Sequence, residues 1–261
     1  MIVSSVEDLY EHYLDGERDF AQSELGAADL AGLDLKGVVL RDANLCDANL
    51  SGADLSEVDL RGARMVSALF GRSSQLDLEA TLFRADLRDA DLRRAMLHGA
   101  NLLGANLDRA DLGQANLIGA SLAEARCFRT NLAQTDLRAA QLGRADLKRA
   151  VLREASLVGA NLRGADLFGA VLVDANLSQA DLTMTNLGKA DLTRAILQQA
   201  TLRWSNLSRA DLTDAVLERA DLTDASLVNA NLTNVTLDSA TVTEEQLKRA
   251  IQVTSHHGPY R

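Results

Sequence analysis

Carboxylates are the commonest reactive groups in this sequence: Asp and Glu total 37, against 27 Lys and Arg, 4 His and 2 Cys. Paired carboxylates serve as general acid and base, and mixed His/Cys/Asp clusters hold metals, when a chain gathers them in a cleft with contrasting surroundings. The spacing here spreads them out. Aspartates such as Asp86, Asp91, Asp111, Asp191 and Asp211 recur at steps of five residues or multiples of it, in outward, turn-forming places. His12 and His98 stand alone, and the terminal pair His256 and His257 lacks a third ligand nearby. No Walker-type or dinucleotide-binding glycine motif occurs, because the glycines follow the same five-residue rhythm. Cys127 falls on an apolar position and reads as a small buried hydrophobe, while Cys46, just after such a position, reads as an exposed incidental thiol. The reading is no catalytic residue, no metal site and no cofactor.

The elements that carry these residues follow from the repeat. From about residue 18 the chain runs in pentads, with Ala-Asp-Leu at 28–30 and 53–55 and Ala-Asn-Leu at 43–45 and 48–50. With each Leu taken as a centre, a first run extends from Phe20 to Phe70 and a second from Leu82 to Val242. A small residue, nearly always Ala, sits two places before each centre. An α-helix turns about 100° per residue, so a five-residue step moves each Leu about 140° around the axis and leaves no buried stripe. An unbroken strand fails as well, since five is odd and the leucines would alternate faces. Both objections vanish if each pentad is a short extended segment followed by a corner. Ala and Leu then point inward together, and the Asp/Asn between them and the two residues after the Leu face outward or form the turn. Stacked coils bury the centres Leu82, Leu102, Leu122, Leu142, Leu162, Leu182, Leu202 and Leu222, and no pentad is stable alone. Hydrophobic content of 47% with only 3% aromatic residues suits so narrow an interior.

Ala-(Asp/Asn)-Leu-X-X in dozens of consecutive copies resembles the pentapeptide-repeat family over about nine-tenths of the chain. The resemblance implies an all-β fold, a right-handed quadrilateral β-helix with four pentads per coil. Roughly 45 pentads then make about 11 coils, a rod some 50–55 Å long at the spacing of paired strands.

Short α-helical caps are expected at both ends. At 1–17, Ser4-Ser5-Val6-Glu7 has capping-box spacing, with Val6, Leu9, Tyr10, Tyr13 and Leu14 at helical intervals and Gly16 as a stop. At 243–261, Thr243-Glu244-Glu245-Gln246 repeats the capping box before Leu247, Ala250 and Ile251, and residues 256–261 read as a frayed tail. The β-helix occupies 18–242, with an irregular break at about 71–79 where the step from Phe70 to Leu82 is out of frame by two. That break is either a tolerated insertion in a surface corner or a recognition loop.

A formal net charge of −10 with interspersed signs argues against direct nucleic-acid binding. No signal peptide and no apolar run of about 18 residues is present, which points to a cytoplasmic protein off the membrane. The informative departures lie outside the core, where residues twenty apart stack. Met184 with Trp204, Phe83 with Leu103, Val151 with Val171 (Val173 beside them), Ile196 with Val216, and Phe128 with Phe168 across Lys148 place apolar groups on the surface. They either strengthen the ladder or form a contact surface, with Trp204 and Met184 as its centre. The basic groups Arg84, Arg88, Arg93, Arg94 and Arg144, Lys148, Arg149, Arg153 read as solvated, salt-bridged faces.

These observations favour a non-catalytic scaffold for an unknown protein partner. Residues 6–20 resemble the N-terminal cap of cyanobacterial, HetL-like members of the family, a group that includes a regulator acting through protein contacts; the cap type is shared by many members and implies lineage more than task. Other members mimic duplex DNA and bind DNA gyrase, so an acidic mimic is the alternative, although arginines interrupt the acids almost everywhere. A purely structural element is the third reading. Some members dimerise through the C-terminal coil, whereas the segment after Thr243 looks more like a cover, so a monomer or weak dimer is expected.

Overall fold

The computed structural model describes residues 1–71 and 79–251. The second position of each pentad forms an isolated parallel bridge with the residue twenty further on, as in Asn101↔Ser121, Ser121↔Gln141 and Gln141↔Asn161. Twenty residues are four pentads, so each coil has four sides. Among the described residues the pairing consists of these single bridges, with no continuous strand. Side one carries Leu82 to Leu222 at twenty-residue steps, side two Leu87 to Leu227, side three Leu92 to Leu232, and side four Leu97 to Leu237.

One pentad shows why the sequence has this form. Ala160 N donates to Leu157 O across the corner at 3.0 Å, Asn161 N to Ala140 O of the previous coil at 2.9 Å, and Leu162 N to Asp181 O of the next coil at 2.8 Å. Gly164 N also reaches the next coil, at Thr183 O, 2.9 Å. The fifth amide, on Arg163, has no backbone partner, and the Asn161 side chain accepts it through Oδ1 at 3.1 Å. The Asp/Asn preference is therefore a hydrogen-bond requirement: only a short side-chain oxygen satisfies that amide. Many of these side chains also pair between coils, as Asn131 Nδ2 does with Asp111 Oδ1 at 2.7 Å.

The corner places its last residue at positive φ, the type II pattern. Glycine fills some of these places, but so do Arg, Asp, Gln, Glu, Met184 (φ 58) and Trp204 (φ 55). Among the described residues no Val, Ile or Thr has a positive φ, as expected from the crowding of a branched Cβ there.

The eight side-one leucines from Leu82 to Leu222 have at most 1% of their surface exposed. Burying each contributes about 1.5–3 kcal/mol. Where a hydroxyl replaces the inward Ala, it is satisfied: Thr130 Oγ1 donates to Leu107 O at 2.7 Å and Ser205 Oγ to Leu202 O at 2.7 Å.

Bridges that cross the break step by 27 residues, as in Asp54↔Thr81 and Leu69↔Met96. The break thus adds seven residues to one coil (27 − 20), and Ala80 N still closes the corner on Phe70 O at 2.7 Å. The chain departs at Gly71, where a Cβ would lie 2.7 Å from the His98 carbonyl oxygen. Whether the insertion is a recognition loop concerns residues 72–78, which lie outside the described residues.

At the N-terminal end α1 spans Val6–Leu14. Its cap differs from the one the sequence suggests: Ser5, not Ser4, is the N-cap, and its Oγ accepts from Asp8 N at 3.1 Å. Leu9 is buried and Val6 and Tyr13 pack on the core, but Tyr10 and Leu14 are exposed, so the apolar face is narrower than its helical spacing suggests. Val3 does more of the covering. It is buried, its carbonyl accepts from Glu24 N, and its amide donates to Ser23 Oγ at 3.0 Å, supplying backbone partners to the first coil. At the other end α2 spans Glu244–Lys248 with the full capping box between Thr243 and Gln246. Gln246 Nε2 donates to Leu222 O and Ala225 O at 2.7 and 2.9 Å, tying α2 to the last coils. Leu247 is buried there, while Ile251 is exposed and extends the ladder through its amide to Ala230 O. The tail with His256 and His257 lies outside the described residues.

Candidate functional site

Among the described residues, no group of three or more His, Cys, Asp or Glu is placed to hold a metal, and no helix is long and apolar enough to cross a membrane. Cys127 is fully buried, and that burial pushes its thiol up to about 12. Cys46 is half-buried, less open than its place in the pentad suggests, because it sits at the first corner position, which the neighbouring coil partly covers.

The aspartates between Ala and Leu are occupied groups. Asp86 Oδ1 accepts from the Arg88 amide and from Arg88 Nε, and Oδ2 from Arg88 Nη2 at 2.6 Å. Asp91 is held in the same way by Arg93. Asp111 accepts the Gly113 amide, and Asp191 and Asp211 each accept both the amide and the hydroxyl of the threonine two residues on. These carboxylates organise corners and do not form a free acidic row.

The outward apolar residues lie on all four sides. Phe83 and Leu103 stack half-buried on side one, and Arg84 sits 4.9 Å from the Phe83 ring. Ile196 and Val216 are bridged on side four, opposite side two. Val151 and Val171 are bridged on side three and half-buried; Val173 beside them is only 5% exposed and belongs to the packed structure, not the surface. Valine at these bridging places leaves the amides of Arg153 and Val173 without the side-chain acceptor that Asp or Asn provides.

The remaining four gather around side two. Met184 and Trp204, 54% and 48% exposed, stack on the corner that enters it. The Arg203 guanidinium lies 5.0 Å from the Trp204 ring and pairs with Asp221 at 3.2 Å, which backs the indole on one flank. Phe128 and Phe168 lie half-buried on the far half of the same side, with Lys148 between them bridging Asp146 and Asp166 at 3.3 and 3.0 Å. Hydrogen bonding to Asp166 and then to Asp146 raises the Lys148 ammonium above its ordinary value. The Phe168 ring leans over Gly188, where a Cβ would stand 3.1 Å from its Cδ2.

The basic groups divide. Arg88, Arg93, Arg144 and Lys148 are ion-paired, and Arg94 donates to Gln114. Arg149 and Arg153 have no carboxylate within 4 Å among the described residues, contrary to the expected salt-bridged face: Lys148 occupies Asp146 and Asp166 beside Arg149, and Arg194 holds Asp174, the carboxylate nearest in effect to Arg153. Reading the sequence pentad by pentad misses that Arg149 belongs to a stack with Arg129, Lys189 and Arg209, which reading at steps of twenty reveals.

Comparison with known proteins agrees with the repeat geometry. The description "pentapeptide repeats" matches in 8 copies, over residues 23–65, 79–114, 110–149, 130–169, 170–209 and 200–238. Among solved structures, HetL, a pentapeptide-repeat protein involved in heterocyst differentiation regulation from the cyanobacterium Nostoc sp. strain PCC 7120, is 35% identical. That match covers 90% of this chain and 96% of HetL, with a TM-score of 0.40. Rfr23 from the cyanobacterium Cyanothece 51142 is also 35% identical, over 39% of this chain and 63% of its own, at a TM-score of 0.26. QnrB1, a plasmid-mediated fluoroquinolone resistance protein, is 18% identical over 88% of this chain and 96% of its own, at a TM-score of 0.31. No curated protein matches. The chain belongs to the pentapeptide-repeat family.

Proposed function

We propose that the protein is a non-catalytic scaffold: a right-handed rod that presents the C-terminal half of side two to a protein partner, with a regulatory task. One observation carries this reading. Trp204, the single tryptophan of the chain, is held in a left-handed corner conformation with nearly half its surface in water, directly above exposed Met184. A large aromatic ring at such a corner adds little to the packing of the rod, whereas exposed aromatic and Met side chains are the groups that anchor protein contacts. Affinity capture from source-cell lysate, with wild type beside Trp204→Glu, tests it. The partner is expected to be lost with Trp204→Glu while the melting temperature is nearly unchanged; equal recovery by both proteins overturns the assignment.

An acidic mimic of duplex DNA acting on gyrase has less support, since the carboxylates that would form its surface are spent on corners and arginines. It predicts inhibition of gyrase supercoiling at stoichiometric protein. A cytoplasmic monomer with α2 as an end cover belongs to the same proposal.

A further inference from the structure

We propose that the corner leaving side two, with its stack of Arg129, Arg149, Lys189 and Arg209, is the docking strip for an acidic segment of a partner protein. The inference rests on the scaffold reading above and names the partner's chemistry.

All four cations are exposed, and none has a carboxylate within 4 Å among the described residues. The nearby acids are already committed. Asp108 holds Arg126 at 2.7 Å and the Phe128 amide at 3.0 Å, Lys148 holds Asp146 and Asp166, and Asp191 and Asp211 hold Thr193 and Thr213. Stacked coils lie about 4.8 Å apart, and like charges facing each other on neighbouring strands destabilise a sheet.

The next corner shows what the fold does when nothing external is required. At the equivalent positions leaving side three, Arg94 donates to Gln114, Gln114 to Gln134 and Gln134 to Glu154, at 3.1, 2.9 and 2.9 Å. That ladder continues with Arg194 on Asp174 at 2.7 Å and Asn234 on Asp214 at 3.0 Å. It satisfies itself. The stack leaving side two does not, although the same kind of position lower on that corner pairs Arg109 with Asp89 at 2.7 Å.

The strip is also partly apolar. Arg129 lies 5.1 Å from the Phe128 ring and Lys189 5.4 Å from the Phe168 ring, and Val151 and Val171 are two residues past the corner. Gly169 leaves a gap in the row of side chains between Arg149 and Lys189. Cations alternating with aromatic and aliphatic surface suit a protein segment that carries both carboxylates and apolar side chains. A phosphate backbone, which carries charge without aliphatic side chains, would leave Val151 and Val171 uncovered.

The test uses the full-length protein and a fluorescent polyglutamate peptide, with single-stranded DNA of equal charge as the competing probe, at about 0.02 M and about 0.2 M salt. The variant is Arg129→Gln/Arg149→Gln/Lys189→Gln/Arg209→Gln, which removes the charges without stacking new ones; the control, Arg163→Gln/Arg219→Gln, neutralises two exposed cations on other sides. The wild type and the control are expected to bind the peptide at low salt, and the quadruple variant at least ~10-fold more weakly, with a melting temperature unchanged or raised. Tighter binding of DNA than of the peptide, equal peptide binding by variant and control, or a melting temperature lowered in the quadruple variant alone overturns the proposal. If the strip fails while capture through Trp204 persists, the acidic partner is wrong and the scaffold reading stands.

Discussion

Side two differs between its two ends. Toward the N-terminus its charges interlock: Arg41 and Arg61 both hold Asp59 at 2.6 Å, Arg61 approaches Asp86 at 3.7 Å, and Arg88 closes the chain on Asp86 at 2.6 Å. Toward the C-terminus the same side is bordered by exposed Met184 and Trp204 on one corner and by unpaired cations on the other. Among the described residues both ends have the same kind of bridges and turn hydrogen bonds, the one exception being the coil enlarged by seven residues, across which Asp59 bridges to Asp86. The fold therefore does not force the difference; the outward side chains do. One end is a surface that satisfies itself, and the other leaves apolar and cationic side chains exposed.

The largest expected effect tests whether the two ends share one cooperative structure. Leu142→Asp places a carboxylate in the continuous core between them and is expected to unfold the rod, read as loss of circular dichroism and of a single thermal transition. Two separate transitions would mean that the halves fold as independent units. Next comes Arg61→Glu against Arg149→Glu. Reversal within the interlocked network should lower Tm, whereas reversal in the unpaired stack should leave Tm level or raise it.

A pH titration sharpens the same contrast. Burial alone would raise the Asp59 carboxyl, but hydrogen bonds from Arg61 and Arg41 outweigh it and hold the group at about 2. Its folded value thus lies below its unfolded value of 3.8, so its contribution is complete above pH ~4 and is lost as pH falls toward ~2. Asp91 and Asp136 are lowered in the same direction, chiefly by Arg93 and Arg138. Asp59→Asn should remove about 1–2 kcal/mol at neutral pH and flatten that part of the acid limb. An unchanged acid limb would show that the network adds nothing. The smallest effect concerns the missing acceptor on side three: Val151→Asn should restore a partner for the Arg153 amide. The expected gain is about 0.5–1 kcal/mol in denaturant unfolding; a loss would show that valine packing against Val171 outweighs the restored hydrogen bond.

Much of the fold was legible because its grammar is local. A five-residue step with Ala and Leu two apart excludes helix and flat strand, and the buried positions follow directly. What stayed hidden depends on contacts between coils or beyond the repeat. Val3 covers the first coil through backbone hydrogen bonds that no apolar periodicity reports. The role of Asn161 and its counterparts appears only once every amide is followed to its acceptor. Trp204 and Met184 could be singled out because they are conspicuous types at outward positions. The cation stack of Arg129, Arg149, Lys189 and Arg209 is legible at the same twenty-residue step, but that no carboxylate pairs with it depends on side-chain contacts between coils, which the sequence does not report.

The account's central claim is that the C-terminal half of side two is a contact face. Placing a photo-crosslinking phenylalanine derivative at Trp204 in one protein and at Gln199, a corner of side four, in another tests it in the source cell. The account predicts a discrete partner adduct from position 204 and none from 199. Equal adducts from both positions, or none from either, would contradict it.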